Sequence, residues 1–76
     1  MKLHPYFEFV RWPQRPEIRL EWIEDVIRSP TRTERQSDGR MRYWGYVFAA
    51  RKYLRVVLLP DGETVFNAFF DRDFRG

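Results

Sequence analysis

The sequence predicts an α+β fold, in which a short N-terminal helical region packs on a four-stranded antiparallel sheet. Three observations carry this. Leu20, Ile23, Val26 and Ile27 recur at helical spacing in residues 20–28, with Pro30 just beyond. After Pro30 the period shortens to two, as a pleated strand requires. Two apolar runs, 52–59 and 63–70, flank Pro60-Asp61-Gly62, where Gly62 can take the positive φ of a tight reversal.

Each element has its own signal. Residues 1–19 are the least legible: Tyr6 to Trp12 reads as a short helix begun by Pro5 at its first position, or as an extended segment, and Pro13 and Pro16 end it. The helix at 20–28 carries acidic residues early and Arg28 late, which complements its dipole. Pro30 biases Ser29 to extended geometry. Residues 31–36 form a polar strand, Asp38-Gly39 a hairpin turn, and residues 40–47 a second strand of alternating character. The apolar hairpin supplies strands three and four. The helical region thus spans about 5–28 and the sheet about 31–70 of a single domain, 1–76.

Composition narrows the function classes. At 76 residues and 43% hydrophobic content, one core is only just sufficient, and with no Cys neither a disulfide nor a thiolate metal site can staple it. Aromatic residues, 18% of the chain, must supply much of the buried area. No apolar run approaches a bilayer span and no apolar leader opens the chain, so the expectation is a cytoplasmic protein without membrane contact. Of the 14 basic residues twelve are Arg, against 11 acidic ones; Arg is the better fork for phosphate, although an Arg-rich lineage would look the same. His4 is the only His and the acids are scattered, so neither a metal, a cofactor nor a nucleophilic triad is expected.

Alternation assigns faces. Leu54, Val56 and Leu58 with Phe66, Ala68 and Phe70 make the apolar faces that should meet the helix. Tyr53, Arg55, Val57 and Leu59 with Val65, Asn67 and Phe69 make the mixed faces, where a buried polar group must find a partner or line a groove. Cleavage of an RNA phosphodiester by its own 2′-OH needs cations at the phosphorane and groups that move protons; Arg42, Arg55, Arg72, Tyr53 and Asp71 are the best available set. The structural alternative has Arg55 paired with Glu63 or Asp71, tying the sheet together. RNA binding asks less: Tyr43, Trp44 and Tyr46 interleave with Arg40 and Arg42, and Arg32 and Arg35 lie across the first hairpin. Its alternative is that Tyr43 and Trp44 are core and edge residues.

Asp38-Gly39-Arg40, Tyr53-Leu54-Arg55-Val56-Val57 and Asn67-Ala68-Phe69-Phe70-Asp71-Arg72, in that order from about Arg15 to Phe74, resemble small uncharacterised bacterial proteins, frequent in cyanobacteria. These belong to the broad group of RelE-like and BrnT-like toxins of toxin-antitoxin modules. The resemblance implies a barnase/RelE-like fold, metal-independent endoribonuclease activity on RNA, including ribosome-bound mRNA, and a cognate antitoxin. In that reading Arg55 and Arg72 hold phosphate, Asn67 orients them, and Tyr53 or Asp71 assists proton transfer. Related families carry a His on the first helix followed by Arg at four-residue spacing. Arg11 and Arg15 have that spacing and join the RNA-binding set, but Phe7 stands where the His would fall, and His4 is the nearest replacement. The rival expectation is a non-catalytic interaction module with the same fold, bound through an edge strand or aromatic face. Self-association through Trp12, Trp22 or Trp44 is a third.

Overall fold

The computed structural model describes residues 1–76 and is α+β, with five strands where four were expected. They are β1 (Lys2–Leu3), β2 (Arg32–Arg35), β3 (Met41–Val47), β4 (Lys52–Leu58) and β5 (Thr64–Phe70), in the order β1-β5-β4-β3-β2. β2 to β5 form the antiparallel meander; β1 pairs in parallel with β5, which makes the sheet mixed rather than wholly antiparallel. Lys2 and His4 donate their amides to the carbonyls of Glu63 and Val65 at 3.0 and 2.9 Å. A two-residue strand held by such distant partners has no period to read.

Behind β1 the chain turns helical. His4 works as the cap: its Nδ1 accepts the Tyr6 amide at 3.1 Å and its carbonyl accepts the Glu8 amide at 2.9 Å. Pro5 follows at the first position, where a missing N–H loses nothing. A π-helical turn (Phe7–Arg11) and a 3₁₀ turn (Trp12–Gln14) continue the run and drive Phe7 fully into the core, with Trp12 stacked on it at 5.6 Å. Of the two readings of this segment, the helical one is correct.

Helix α1 (Leu20–Arg28) occupies the expected residues and buries Ile23 and Val26, each contributing roughly 1.5–3 kcal/mol through its own burial. It sits on one sheet face. A Cβ added to Gly45 would fall 2.8 Å from Val26 Cγ2, so the bare backbone there sets how closely helix and sheet approach. Leu54, Val56, Leu58, Val65 and Ala68 complete the core beneath them.

The two-residue alternation fails once. Val57 pairs with Asn67 but Leu58 with Val65, so Phe66 is an extra residue, a β-bulge that reverses the parity of β5. Val65, expected on the mixed face, is therefore fully buried in the core, and Phe66, expected against the helix, leaves it. Phe66 instead meets the rings of His4 and Tyr6, each at 5.2 Å.

Candidate nucleic-acid interface

The face opposite α1 is built in cross-strand rows. Trp44, Arg55 and Phe69 are one register row, with Arg32 across from Trp44; Glu34, Arg42, Val57 and Asn67 are the next. Side chains on one face alternate with those buried on the other, so the same strands that make the core display this row of cations and rings.

At its centre Arg55 Nη1 meets Asp71 Oδ2 at 3.4 Å, and the indole N–H of Trp44 donates to that same oxygen at 2.9 Å. The Asp71 pairing anticipated for Arg55 is the one found, and Glu63 pairs with Lys2 instead. Burial works to raise the Asp71 pKa, but the bonds from Trp44, the Asp73 amide and Arg55 prevail and hold the carboxyl below its usual range. The guanidinium of Arg55 lies 4.8 Å from the Phe69 ring centroid and 5.8 Å from that of Trp44, and its Nε is buried without an acceptor in the protein. Trp44 is only 4% exposed, because Phe74 stacks on it.

Beside this centre stands a second group. Arg15 Nη1 donates to Asn67 Oδ1 at 2.9 Å and to the Ala68 carbonyl at 3.3 Å, and its guanidinium lies 5.6 Å from the Phe69 centroid. Burial lowers the Arg15 pKa, and the neighbouring charge of Arg11 lowers it further. Arg11 rests 5.6 Å from the centroid of Tyr6, which stacks on Phe66, and Arg40 covers Phe66 at 4.1 Å. Two crowded guanidiniums over rings make a local field that favours an anion.

The expected catalytic set is divided only in part: Tyr53, Asp71 and Arg72 line one cavity at the end of the sheet and Arg55 bonds to Asp71, whereas Asn67 belongs with Arg15. Tyr53 packs edge-on against Phe74 at 4.9 Å, and Arg72 lies exposed past the end of β5. Of the expected RNA-binding residues, Arg11, Arg15, Arg32, Arg40 and Arg42 reach the open face or its rim. Arg32 and Arg42 both approach Glu34, at 2.8 and 3.9 Å. Arg35, across from Met41, points by parity to the other face and does not join them.

His4 does not replace the missing His as a base. With Nδ1 accepting the Tyr6 amide, the neutral ring carries its proton on Nε2 and has no free lone pair to offer. Three contributors escaped the sequence reading: Tyr6, Phe66 and Phe74. Phe74 had a faint signal, one ring isolated among charges in Asp71-Arg72-Asp73-Phe74-Arg75. Phe66 had none, since its position depends on the bulge. Comparison with family models, with curated proteins and with solved structures finds no match to this chain.

Proposed function

We propose that the protein is RNA-directed, taking single-stranded RNA across the open sheet face, and that it acts as a toxin-type, metal-independent endoribonuclease with a barnase/RelE-like fold and a cognate antitoxin. One observation supports the reading above all: Arg11, Arg15, Arg32, Arg40 and Arg55 each lie over an aromatic ring on that face or its rim. These pairings recur along one face, and the closest, Arg40 on Phe66 and Arg55 on Phe69, lie at 4.1 and 4.8 Å, well inside the range of cation–aromatic attraction. Rings stack on bases and guanidiniums take phosphates, which is the pairing single-stranded RNA needs.

In cleavage by 2′-OH attack, the 2′ oxygen gives its proton to solvent and bonds to phosphorus, the P–O5′ bond breaks, and the 5′ oxygen leaves with a proton taken from solvent. Arg11 and Arg15 would stabilise the charge that builds on the phosphorane oxygens, with Asn67 fixing the direction of Arg15. A fluorescein-labelled single-stranded RNA, titrated by anisotropy across a salt series, tests the binding. Log affinity should fall steeply with log salt, and a flat response overturns the reading. Incubating end-labelled RNA with the protein in EDTA then tests cleavage, with Arg15→Ala as control.

A second reading, a non-catalytic interaction module, rests on Phe48 and Phe9, which are 83% and 71% exposed outside the arginine-lined face. Binding through such rings would change little with salt.

A further inference from the structure

Half of the cations in this protein have an acidic partner within 4 Å and half do not. Lys2, Arg19, Arg28, Arg32, Arg40, Arg42 and Arg55 are paired. The remaining seven are unevenly placed: Arg51, Lys52, Arg72 and Arg75 surround one cavity of about 420 Å³ at the end of the sheet where β4 begins and β5 ends. A slightly larger cavity, about 480 Å³, opens between α1 and β3, but its only charged residue is Asp25, already bound to Arg28.

The cationic cavity holds no free side-chain carboxylate, and Gly76 lies at its edge beside the Tyr53 hydroxyl. Asp71 is the one acidic side chain of the cavity, and both carboxylate oxygens are engaged, Oδ2 by Trp44 and Arg55 and Oδ1 by the Asp73 amide. The walls are aromatic. Tyr46 and Tyr53 face each other across strands at 5.1 Å, and Phe74 closes against Tyr53. Two local features mark these cations. Arg51 takes a left-handed conformation, φ 55°, which side-chain-bearing residues rarely adopt. Arg75 Nη1 donates to the carbonyls of Arg72 and Phe74 at 2.8 and 3.3 Å, folding the terminal segment into a rim.

We infer that this cavity is a binding site for a nucleoside monophosphate unit, its phosphate among Arg51, Lys52, Arg72 and Arg75 and its base against the tyrosine and phenylalanine rings. Four cations without a free side-chain carboxylate among them recognise a dianionic phosphate, and the rings recognise a flat heterocycle; a bare phosphate would use only half of the site. The volume lies in the lower part of the range of small-molecule sites, as one nucleotide requires. This site adjoins the open face at the end of the sheet, where Tyr46 and Tyr53 share the side of Trp44 and Arg55, but a different set of cations lines it, so it does not depend on RNA binding along the rest of that face. The unit is either a free mononucleotide or the phosphorylated end of an RNA strand.

Calorimetric titration at low salt with AMP, with inorganic phosphate, and with a hexaribonucleotide bearing or lacking a terminal phosphate tests the proposal. The proteins to compare are the wild type, Arg51→Gly and Arg72→Gln. Arg51→Gly removes a cation and relieves the backbone, so a lost signal in that variant is not lost folding; thermal melting checks both. AMP should bind the wild type at least about tenfold more tightly than inorganic phosphate does, and each variant should weaken AMP about three- to tenfold. Failure of AMP to bind, equal affinity for AMP and phosphate, or equal AMP affinity in all three proteins would overturn the site. With AMP bound as expected, a phosphorylated hexamer that binds more tightly than both AMP and the unphosphorylated hexamer, and that loses this advantage in Arg72→Gln, supports the site and makes the ligand a strand end; equal affinity of the two hexamers supports it and makes the ligand a free nucleotide.

Discussion

Phe74 lies nearly parallel on Trp44, with ring centroids 4.9 Å apart and planes 10° from each other. An offset aromatic pair of this kind is worth about 0.5–1.5 kcal/mol beyond its buried area, and it occupies the surface on which a base would stack. In the RNA-directed reading the terminal segment therefore competes with the ligand for Trp44. Phe74→Ala should lower stability by about 1–2 kcal/mol, shift Trp emission to the red and raise affinity for single-stranded RNA that lacks a terminal phosphate a few-fold. Urea denaturation followed by fluorescence, with anisotropy on the same samples, measures all three. Weaker RNA binding in this variant would show instead that Phe74 is part of the ligand surface.

Asp71 links that stack to Arg55. Its pKa is held below the ordinary carboxylate value, so the stability it contributes is complete above the unfolded pKa, near 4, and is lost as pH falls through the lower folded value. Asp61 behaves in the same sense: the Thr64 hydroxyl and the Glu63 and Thr64 amides push it to about 2. Wild-type urea midpoints should thus decline below about pH 4, and Asp71→Asn should flatten part of that decline while lowering stability at pH 7 by about 2 kcal/mol. An unchanged acid slope in Asp71→Asn would show that the Trp44 and Arg55 bonds do not favour the ionised form.

Helix α1 and the apolar hairpin were legible because their signals are local: Pro30 ends one, Gly62 turns the other, and each has a clear period. β1 was not, since Lys2 and Leu3 become a strand only when Thr64 and Val65, some sixty residues away, offer their edge. The bulge at Phe66 escaped for a related reason. Alternation assigns faces only while pairing stays in register, and nothing in Thr-Val-Phe-Asn announces the slip. The candidate site inherits this division. Arg55, Asn67 and Asp71 could be picked out as polar interruptions of apolar runs, whereas Tyr6, Phe66 and Phe74 gained their roles from tertiary contacts.

Arg15 and Asn67 meet across 52 residues of chain through one bond of 2.9 Å. A hydrogen bond to a charged group is worth about 1.5–3 kcal/mol, and here it also aims the guanidinium across Phe69. Arg15→Ala should weaken single-stranded RNA binding and reduce the salt slope by about 0.7, the share of one phosphate contact on a single strand. Asn67→Ala should reduce affinity with a smaller change of slope, because the cation remains but loses its direction. Equal salt slopes in wild type and Arg15→Ala would remove Arg15 from the phosphate path.

Arg51 tests whether strain is retained for a purpose. A left-handed non-glycine residue costs roughly 1–2 kcal/mol, and nothing in the connection between β3 and β4 requires a side chain there for packing, since Arg51 is exposed. Arg51→Gly should therefore raise the free energy of unfolding by up to about 1 kcal/mol after the extra flexibility glycine gives the unfolded chain is subtracted. A loss of stability would mean that the guanidinium makes a contact worth more than the strain it imposes.

Gly45 tests the packing on the other face. A methyl group at this position would overlap Val26 Cγ2 at 2.8 Å, and the obstacle is a branched, buried side chain on a helix that also carries Ile23 into the core. Overpacking of this kind costs about 1–3 kcal/mol, because either Val26 leaves its rotamer or α1 lifts from the sheet. Gly45→Ala should destabilise by that amount, and adding Val26→Ala should recover part of the loss although Val26→Ala alone is destabilising. A thermodynamic cycle of the four proteins by urea denaturation reads the coupling directly. Simple additivity would mean that α1 moves away as a unit, and the approach of helix to sheet would then not be set by the pair Val26 and Gly45.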